Sequence, residues 1–372
     1  MAQDDARAAR DRPAMEDVAA LAGVSLGTVS NVLNHPYRVT ARTRERVQRA
    51  IAELNYVPNG LARSLAAGHT NTIGLIVSDL SNSLFIDIAR GAETAAEEGR
   101  MSLLLANTDS RVEREAGYLA LFAQHQLTGV LMTLNDAAHF DAVTRIAPAS
   151  PPLVLLNFTD PQHRHCSVDV DNELGGYLAA QHLIEIGRRR LVLVSGPPEL
   201  KPVADRGRGF FRAVAEHPEV TAREVTPRWI NRADGWRTGT QLAPQVAKGE
   251  VDGIFAASDL LAAGILQALA TTPGVVVPRD VAVVGYDNNQ AAWDSPIPLT
   301  TIAQPGHEVG RLGARLVREE SSARGTHTHQ AIVLAPALVV RSSTVESPPR
   351  AERPAGQPAR DVPRRAPRDG LA

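Results

Sequence analysis

The chain has one cysteine, Cys166, in 372 residues, so no intrachain disulfide can form, which fits a reducing compartment. No apolar run reaches the ~18 residues of a membrane span. The opening Met1-Ala2-Gln3-Asp4-Asp5 is polar and acidic and lacks the apolar core of a signal peptide, so export is not expected. Net charge is −2, from 39 basic and 41 acidic residues, which excludes any argument from overall basicity. Only Lys201 and Lys248 are lysines, so nearly all positive charge is arginine. Enzyme signatures are also missing. Ser195-Gly196-Pro197-Pro198 lacks the Gly-Lys-Ser/Thr ending of a phosphate loop, there is no Gly-x-Ser-x-Gly elbow, and no Gly-x-Gly-x-x-Gly follows an early strand. His163-Arg164-His165-Cys166 has a metal-like composition, but its spacing fits no zinc pattern and no second ligand pair stands out. It is read as a plain loop, with no metal and no cofactor expected.

What is present begins at Asp17. Val18, Leu21 and Ala22 fall at i, i+3 and i+4 and give a first helix one apolar face. Gly23 can take the positive φ of a helix C-cap, and Ser25 is a natural N-cap for a second helix, which buries Val29, Val32 and Leu33. Leu26, Gly27, Thr28, Ser30 and Asn31 then lie near the exposed start of that helix. In a helix-turn-helix, those positions meet base edges in the major groove. A third helix starts at Thr40 with Val47, Ile51 and Leu54 as its stripe. Arg38, Arg42, Arg44, Arg46 and Arg49 surround it and suit phosphate contacts. The plainer alternative is a small helical bundle with a solvated arginine face.

The pattern changes after Thr72. Ile73-Gly74-Leu75-Ile76-Val77 reads as a strand buried on both faces, and β and α segments then alternate. Strands are expected at 102–106, 129–133, 153–156, 191–194, 253–256 and 281–285. Helices are expected at 85–99, 111–125, 173–187, 204–216, 235–247 and 260–271. Two such runs joined near Val168-Asp169 imply two similar lobes, with ligand bound beyond the carboxyl ends of their strands. Residues there suit a polyhydroxylated ligand: an arginine fork, carboxylates and an aromatic face. The candidates are Asp79, Leu84, Phe85, Asn107, Arg206, Ile230, Ser258, Asp259 and Asp287. Asp79 and Asp259 could instead cap helices, and Phe85 could be core. Trp229, Trp236 and Trp293 are candidates for stacking, for core or for a lobe interface.

Asp17-Val18-Ala19, Ala22-Gly23-Val24-Ser25, Thr28-Val29-Ser30, Val32-Leu33-Asn34 and Tyr56-Val57-Pro58-Asn59 with Ala62-Arg63-Ser64-Leu65 together resemble the LacI family of bacterial transcription regulators, from about Met15 to Thr344. The resemblance implies an all-α helix-turn-helix headpiece plus an α/β periplasmic-binding-protein-like core of two doubly wound parallel-sheet lobes. It implies a homodimer, or a tetramer, on pseudo-palindromic double-stranded operator DNA, switched by a small effector, most readily a sugar. Family positions place Asn34, Arg38, Thr40, Thr43 and Arg44 against the DNA backbone. Asn59, Ala62, Arg63 and Leu65 match the hinge helix that folds on the operator and wedges the minor groove. Arg206 and Asp287 match effector contacts. There are departures. Ala14 cannot cap the first helix as the usual Thr does, Asn31 stands where many members have Arg, and Leu200 and Pro202 argue against a purine base.

The expected organisation is a disordered 1–12, a headpiece 13–58, a hinge 59–70, a core 71–344 and a disordered Pro/Arg-rich 345–372. Lobe 1 is expected to take about 71–168 and 298–324, and lobe 2 about 169–297 and 325–344. Two other classes compete with a cytoplasmic DNA-binding repressor of carbohydrate genes. A solute-binding transport protein is opposed by the head motif, and a sugar- or nucleotide-active enzyme by the absence of a nucleophile and base.

Overall fold

Gly23 sits at φ +61°, and this left-handed residue ends the first helix, α1 (Met15–Ala22). The N–H groups of Gly23 and Val24 reach back to Ala20 and Ala19 and satisfy the last carbonyls. These coordinates are a computed structural model that describes residues 13–57, 70–134, 136–146, 151–295, 297–323 and 325–346. The expected hinge residues Asn59, Ala62, Arg63 and Leu65, and the expected disordered ends at 1–12 and 347–372, lie outside the described residues.

The chain divides into a small unit, up to Asn71 together with His125–Leu127, and a large unit from Thr72 that holds the rest. In the small unit, α2 (Leu26–Asn34) and α3 (Ala41–Glu53) follow α1. Ser25 caps α2 by accepting the Thr28 N–H, and Thr40 caps α3 by accepting that of Thr43. Ala14 caps nothing with its side chain. Instead the Asp17 carboxylate accepts the Ala14 N–H at 2.7 Å, half of a capping box. Val18, Ala19, Ala22, Val29, Val32, Val47, Ala50 and Tyr56 form the core. Leu21, expected in that core, is 46% exposed, and Ala19 takes its place because the helix presents i+1 rather than i+3 to its neighbours.

The large unit holds two six-stranded sheets. The strands are β1 (Thr72–Val77), β2 (Ser102–Asn107), β3 (Gly129–Thr133), β4 (Leu153–Leu156), β5 (Cys166–Val170), β6 (Arg190–Val194), β7 (Thr221–Val225), β8 (Gly253–Ala256), β9 (Ala282–Asp287), β10 (Thr300–Ala303), β11 (Ala331–Leu334) and β12 (Ala337–Val339). The first sheet has the order β11-β5-β4-β3-β1-β2, and every pairing in it is parallel. The second has the order β12-β10-β9-β8-β6-β7, parallel except for β12, which pairs antiparallel with β10 at the edge. The first lobe carries α4 (Ser83–Glu98), α5 (Val112–Gln124), α6 (Ala137–Ile146) and α12 (Gly306–Ser322). The second carries α7 (Asn172–Glu185), α8 (Lys201–Ala215), α9 (Arg232–Ala247), α10 (Asp259–Ala270) and the short α11 (Gln290–Trp293).

The inner strands of the second sheet are buried on both faces because they are apolar at successive positions. Val192, Val194, Ile254 and Val283 face one core, while Leu191, Leu193, Phe255, Val284 and Tyr286 face the other. Helices approach through glycine. A Cβ on Gly91 of α4 would run into the His307 carbonyl of α12, and one on Gly310 of α12 into the Ile88 carbonyl.

The lobes divide the chain differently from the expected 71–168 with 298–324 and 169–297 with 325–344. β5 is a strand of the first sheet, so the first passage comes after Val170. β10 belongs to the second sheet although 298–324 was expected in lobe 1, and β11 to the first although 325–344 was expected in lobe 2. The chain passes between lobes again between Ala303 and Gly306, and between Leu334 and Ala337. Short apolar strands carry no mark of which sheet they join.

Candidate functional site

In the head, α2 and α3 begin without an acidic residue in the first turn. Each therefore presents uncompensated N–H groups, which favour phosphate oxygens. Leu26 is 44% exposed, Ser25 and Gly27 are exposed, and Thr28, Ser30 and Asn31 are half-buried along the same helix start. Asn34 closes α2. Arg38 and Thr40 are exposed, Thr43 and Arg44 half-buried, around the start of α3. Ser25 and Thr28 share a hydroxyl hydrogen bond of 2.9 Å, and Thr40 and Thr43 one of 3.0 Å, which fixes both helix starts. Arg46 departs from the expected phosphate cluster. It donates to the Gly23 carbonyl at 3.1 Å and braces the turn.

In the core, a cavity of about 570 Å³ opens between the two lobes, at the carboxyl ends of the strands. Asp79, Leu84 and Phe85 line it from the first lobe, and Arg206, Ile230, Ser258 and Asp287 from the second. Leu200, Pro202, Val203 and Trp229 add an apolar wall. Trp236 and Trp293 do not line it, and Trp293 instead lies 4.0 Å under the Arg341 guanidinium.

Arg206 is the most constrained group of the cavity. Its Nε donates to Asn172 Oδ1 at 2.9 Å and its Nη1 to the Ala257 carbonyl at 2.6 Å. The guanidinium stacks 3.7 Å above the Tyr286 ring, and Nη2 lies 3.9 Å from Asp287 Oδ1. Asp287 ends β9 at φ +113°, a strained conformation held by its surroundings. It accepts from Gln304 at 2.7 Å, Asn82 at 3.1 Å and Ser258 at 3.4 Å. Burial pushes the Asp287 carboxyl above the usual range, against the pull of Arg206 and these donors.

Two expected ligand contacts lie elsewhere. Asp259 is fully buried behind the cavity, accepting Thr301 Oγ1–H at 2.6 Å and the Asn289 N–H at 2.9 Å. Burial and then the nearby Asp287 charge raise its carboxyl well above the ordinary value. It does not cap α10 either, since Ser258 accepts the Leu260 N–H. Asn107 likewise works on the loops: it accepts the Leu80 N–H and donates to Asp109. Asp79, the other suspected cap, accepts from Ser81, and Asn82 caps α4.

The sequence reading passed over several lining groups. Asn82 joins the lobes by donating to Asp287 and accepting from Asn289 at 2.8 Å. Glu115, buried on α5, faces His139 at 3.1 Å, and burial raises its carboxyl. Asp136, Asn157, Asn231 and Gln304 also line the cavity. Asn157 and Gln304 directly follow a strand, which was the available signal for them; Glu115, inside α5, had none. His327 and His329, far along the chain, come close to Cys166, a meeting that no local spacing shows. The His327 Nε2 stands 3.0 Å from the Cys166 Sγ. Cys166 is the first residue of β5, not part of a plain loop.

A helix-turn-helix head with an open recognition-helix start, and a separate two-lobed core with a polar, aromatic-edged cavity, define a ligand-responsive DNA-binding regulator. The profile of the bacterial regulatory proteins of the lacI family matches residues 14–59, and that of the periplasmic binding protein-like domain matches residues 180–344. The regulator CelR of Thermobifida fusca is 36% identical over 90% of this chain and 99% of its own. The HTH-type transcriptional repressor PurR of Aliivibrio fischeri (strain MJ11) is 31% identical over 89% and 98%. A structure of a CelR–cellobiose complex superposes with a TM-score of 0.65 at 32% identity, covering 89% of this chain and all of that one. The lac repressor dimer bound to operator and the anti-inducer ONPF gives 0.77 at 27%, covering 90% and 99%. The chain belongs to the LacI family. It is a DNA-binding transcription regulator and not an enzyme. No described helix is long and apolar enough to cross a membrane.

Proposed function

We propose that the protein is a cytoplasmic repressor that binds a pseudo-palindromic operator as a homodimer and is switched by a sugar or sugar derivative in the interlobe cavity. The pinned Arg206 beside Asp287 carries the ligand reading. One fork and one carboxylate at fixed separation suit vicinal hydroxyls, and Trp229 and Phe85 offer apolar faces for a ring. A purine is the competing ligand, since purine repressors are comparable relatives. Leu200, Pro202 and Val203 oppose it, because they give no hydrogen bonds to base edges where they line the cavity. The cellobiose bound by CelR supports a saccharide here.

Ser25, Leu26, Gly27, Thr28, Ser30 and Asn31 would read the major groove. Asn34, Arg38, Thr40, Thr43 and Arg44 would hold the backbone, and Asn59, Ala62, Arg63 and Leu65 the minor groove. Pairing of two copies is supported by Leu104 and Leu105, 48% and 43% exposed on the edge strand β2. Ligand that changes the lobe angle would alter operator affinity by about 1–3 kcal/mol.

A thermal-shift screen of the full chain against mono- and disaccharides, with purine bases and nucleosides as controls, tests the ligand. A shift with purines alone overturns the sugar assignment. Deletion of residues 1–68 must abolish operator-specific gel shifts and leave the ligand-induced thermal shift. Specific DNA binding by the deleted chain overturns the DNA assignment.

A further inference from the structure

Away from the cavity, four side chains of metal-ligand type converge in the first lobe: Cys166 at the start of β5, Glu320 near the end of α12, and His327 and His329 on the loop that leads into β11. One ligand atom from each lies within 4.8 Å of all the others. The Cys166 Sγ is 3.0 Å from His327 Nε2 and 3.8 Å from His329 Nδ1, and His329 Nδ1 is 3.8 Å from Glu320 Oε2. A tetrahedral zinc ion, with Zn–S about 2.3 Å and Zn–N about 2.0–2.1 Å, sets sulfur-to-nitrogen edges of about 3.6 Å. The observed separations bracket that value.

We propose that Cys166, Glu320, His327 and His329 bind one divalent transition-metal ion of the zinc class. Thiolate and imidazole select such an ion over magnesium or calcium. The scaffold is firm. β5 and β11 pair from Ser167 and Ala331 onward, and Ser167 N–H donates to the Gln330 carbonyl at 2.8 Å beside the cluster. The two histidines come from one short loop, and their ring nitrogens converge on the same point. The Glu320 Oε2 is buried and accepts no hydrogen bond, so the cluster alone leaves a carboxylate oxygen unsatisfied that a cation would satisfy. His165, the sequence neighbour that resembled a ligand, is held by Asp160 at 3.2 Å and stays out.

The cluster sits at the edge of the first sheet where β1 and β5 begin, opposite the strand ends that line the cavity. Metal there would tie α12 and the β11 loop to β5. None of the four residues lines the cavity.

The test uses the full chain without a polyhistidine tag. After the chain is stripped with chelator, reloaded and desalted, we expect one equivalent of zinc to be retained, and one equivalent of cobalt(II) in its place to give tetrahedral visible bands with a thiolate charge-transfer band. C166S should lose the charge-transfer band. H327Q and H329Q, which remove a direct ligand, should each weaken binding by more than the about 10- to 100-fold that loss of an outer-shell partner costs. H163Q, lying outside the cluster, should leave it unchanged. Zinc should raise the melting temperature of the wild-type chain and not that of C166S. Failure of the wild-type chain to retain either metal, an octahedral cobalt spectrum, or an equal thermal shift in C166S overturns the proposal.

Discussion

Asn82 of the first lobe donates to Asp287 of the second across the cavity, at 3.1 Å. The Asn289 side-chain amide donates a second bond to Asn82 Oδ1 at 2.8 Å, and the Ser83 hydroxyl accepts the Gln290 N–H at 2.8 Å. One short segment of the first lobe thus holds the loop after β9 in the second. Asn82 also caps α4, so its position is fixed by its own helix. In Asn82→Ala, Asp287 keeps Gln304 and Ser258 but loses its bond across the lobes. The expected cost is about 1–3 kcal/mol, or roughly 5- to 150-fold in effector affinity. Calorimetric titration with the effector found in the screen measures this, and an unchanged affinity would remove Asn82 from the switch.

Arg206→Ala removes the counter-charge of Asp287 and leaves Asn172 Oδ1 and the Ala257 carbonyl without their donor. Breaking a buried pair costs about 3–5 kcal/mol, so the core should melt earlier. Below that melting point the variant should still shift operator DNA in fluorescence anisotropy, with no response to effector. A normal effector response would show that Arg206 only supports the fold.

The strands most legible in the sequence were those buried on both faces, such as Ile73–Val77 and Gly253–Ala256, where the apolar run leaves no other reading. β7, Thr-Ala-Arg-Glu-Val at the sheet edge, is mostly exposed and gives no such run, so it was missed. Strand ends located most of the cavity lining. Within the Ser258-Asp259 pair, however, only three dimensions tell which residue faces the ligand, and Asp259 turned inward to Thr301. Asn82, Gln304 and His327 act on partners far along the chain, and no local pattern encodes such meetings.

The head separates reading from holding. Arg44→Ala should weaken binding evenly across operator variants and lower the salt-dependence slope by about 1. Asn31→Ala should relax preference at one base position by about 1–3 kcal/mol. Arg46→Ala should act differently, because its guanidinium is engaged with the Gly23 carbonyl. Its main effect should be a loss of about 1–3 kcal/mol in headpiece stability. Anisotropy over a salt series and against single-base operator variants distinguishes the three, and a uniform loss in Asn31→Ala would take it out of base reading.

Two glycines in helices give opposite expectations for one substitution. A Cβ on Gly176 of α7 would strike the backbone carbonyl of Arg206 on α8, so Gly176→Ala must push apart the helix that carries the effector residue. Overpacking of this kind costs about 1–3 kcal/mol, and effector affinity should fall with it. Gly117, exposed on α5, has open space where a Cβ would go. Gly117→Ala should stabilise by about 0.5–1 kcal/mol and leave effector affinity alone. Urea unfolding with effector titration checks both, and equal effects would show that the close approach of α7 and α8 is not limiting.

His182 on α7 is nearly buried, and its Nε2 lies 2.8 Å from the Thr344 hydroxyl, which in turn meets Thr300 at 2.8 Å. Burial lowers its pKa below 6.5, with Glu185 pulling weakly the other way. The unfolded chain therefore takes up a proton at this site more readily than the folded one. Its contribution to stability is complete above about pH 6.5 and is lost as pH falls through the folded value, with a slope of up to about 1.4 kcal/mol per pH unit. His182→Gln keeps a hydrogen-bonding group near Thr344 but cannot titrate. The stability difference between wild type and His182→Gln, from urea unfolding between pH 8 and 5, should shift against the wild type as the solution is acidified. Other titrating groups are common to both proteins and cancel in that difference. A difference that stays flat across the range would mean that protonated His182 is accommodated beside Thr344 without cost.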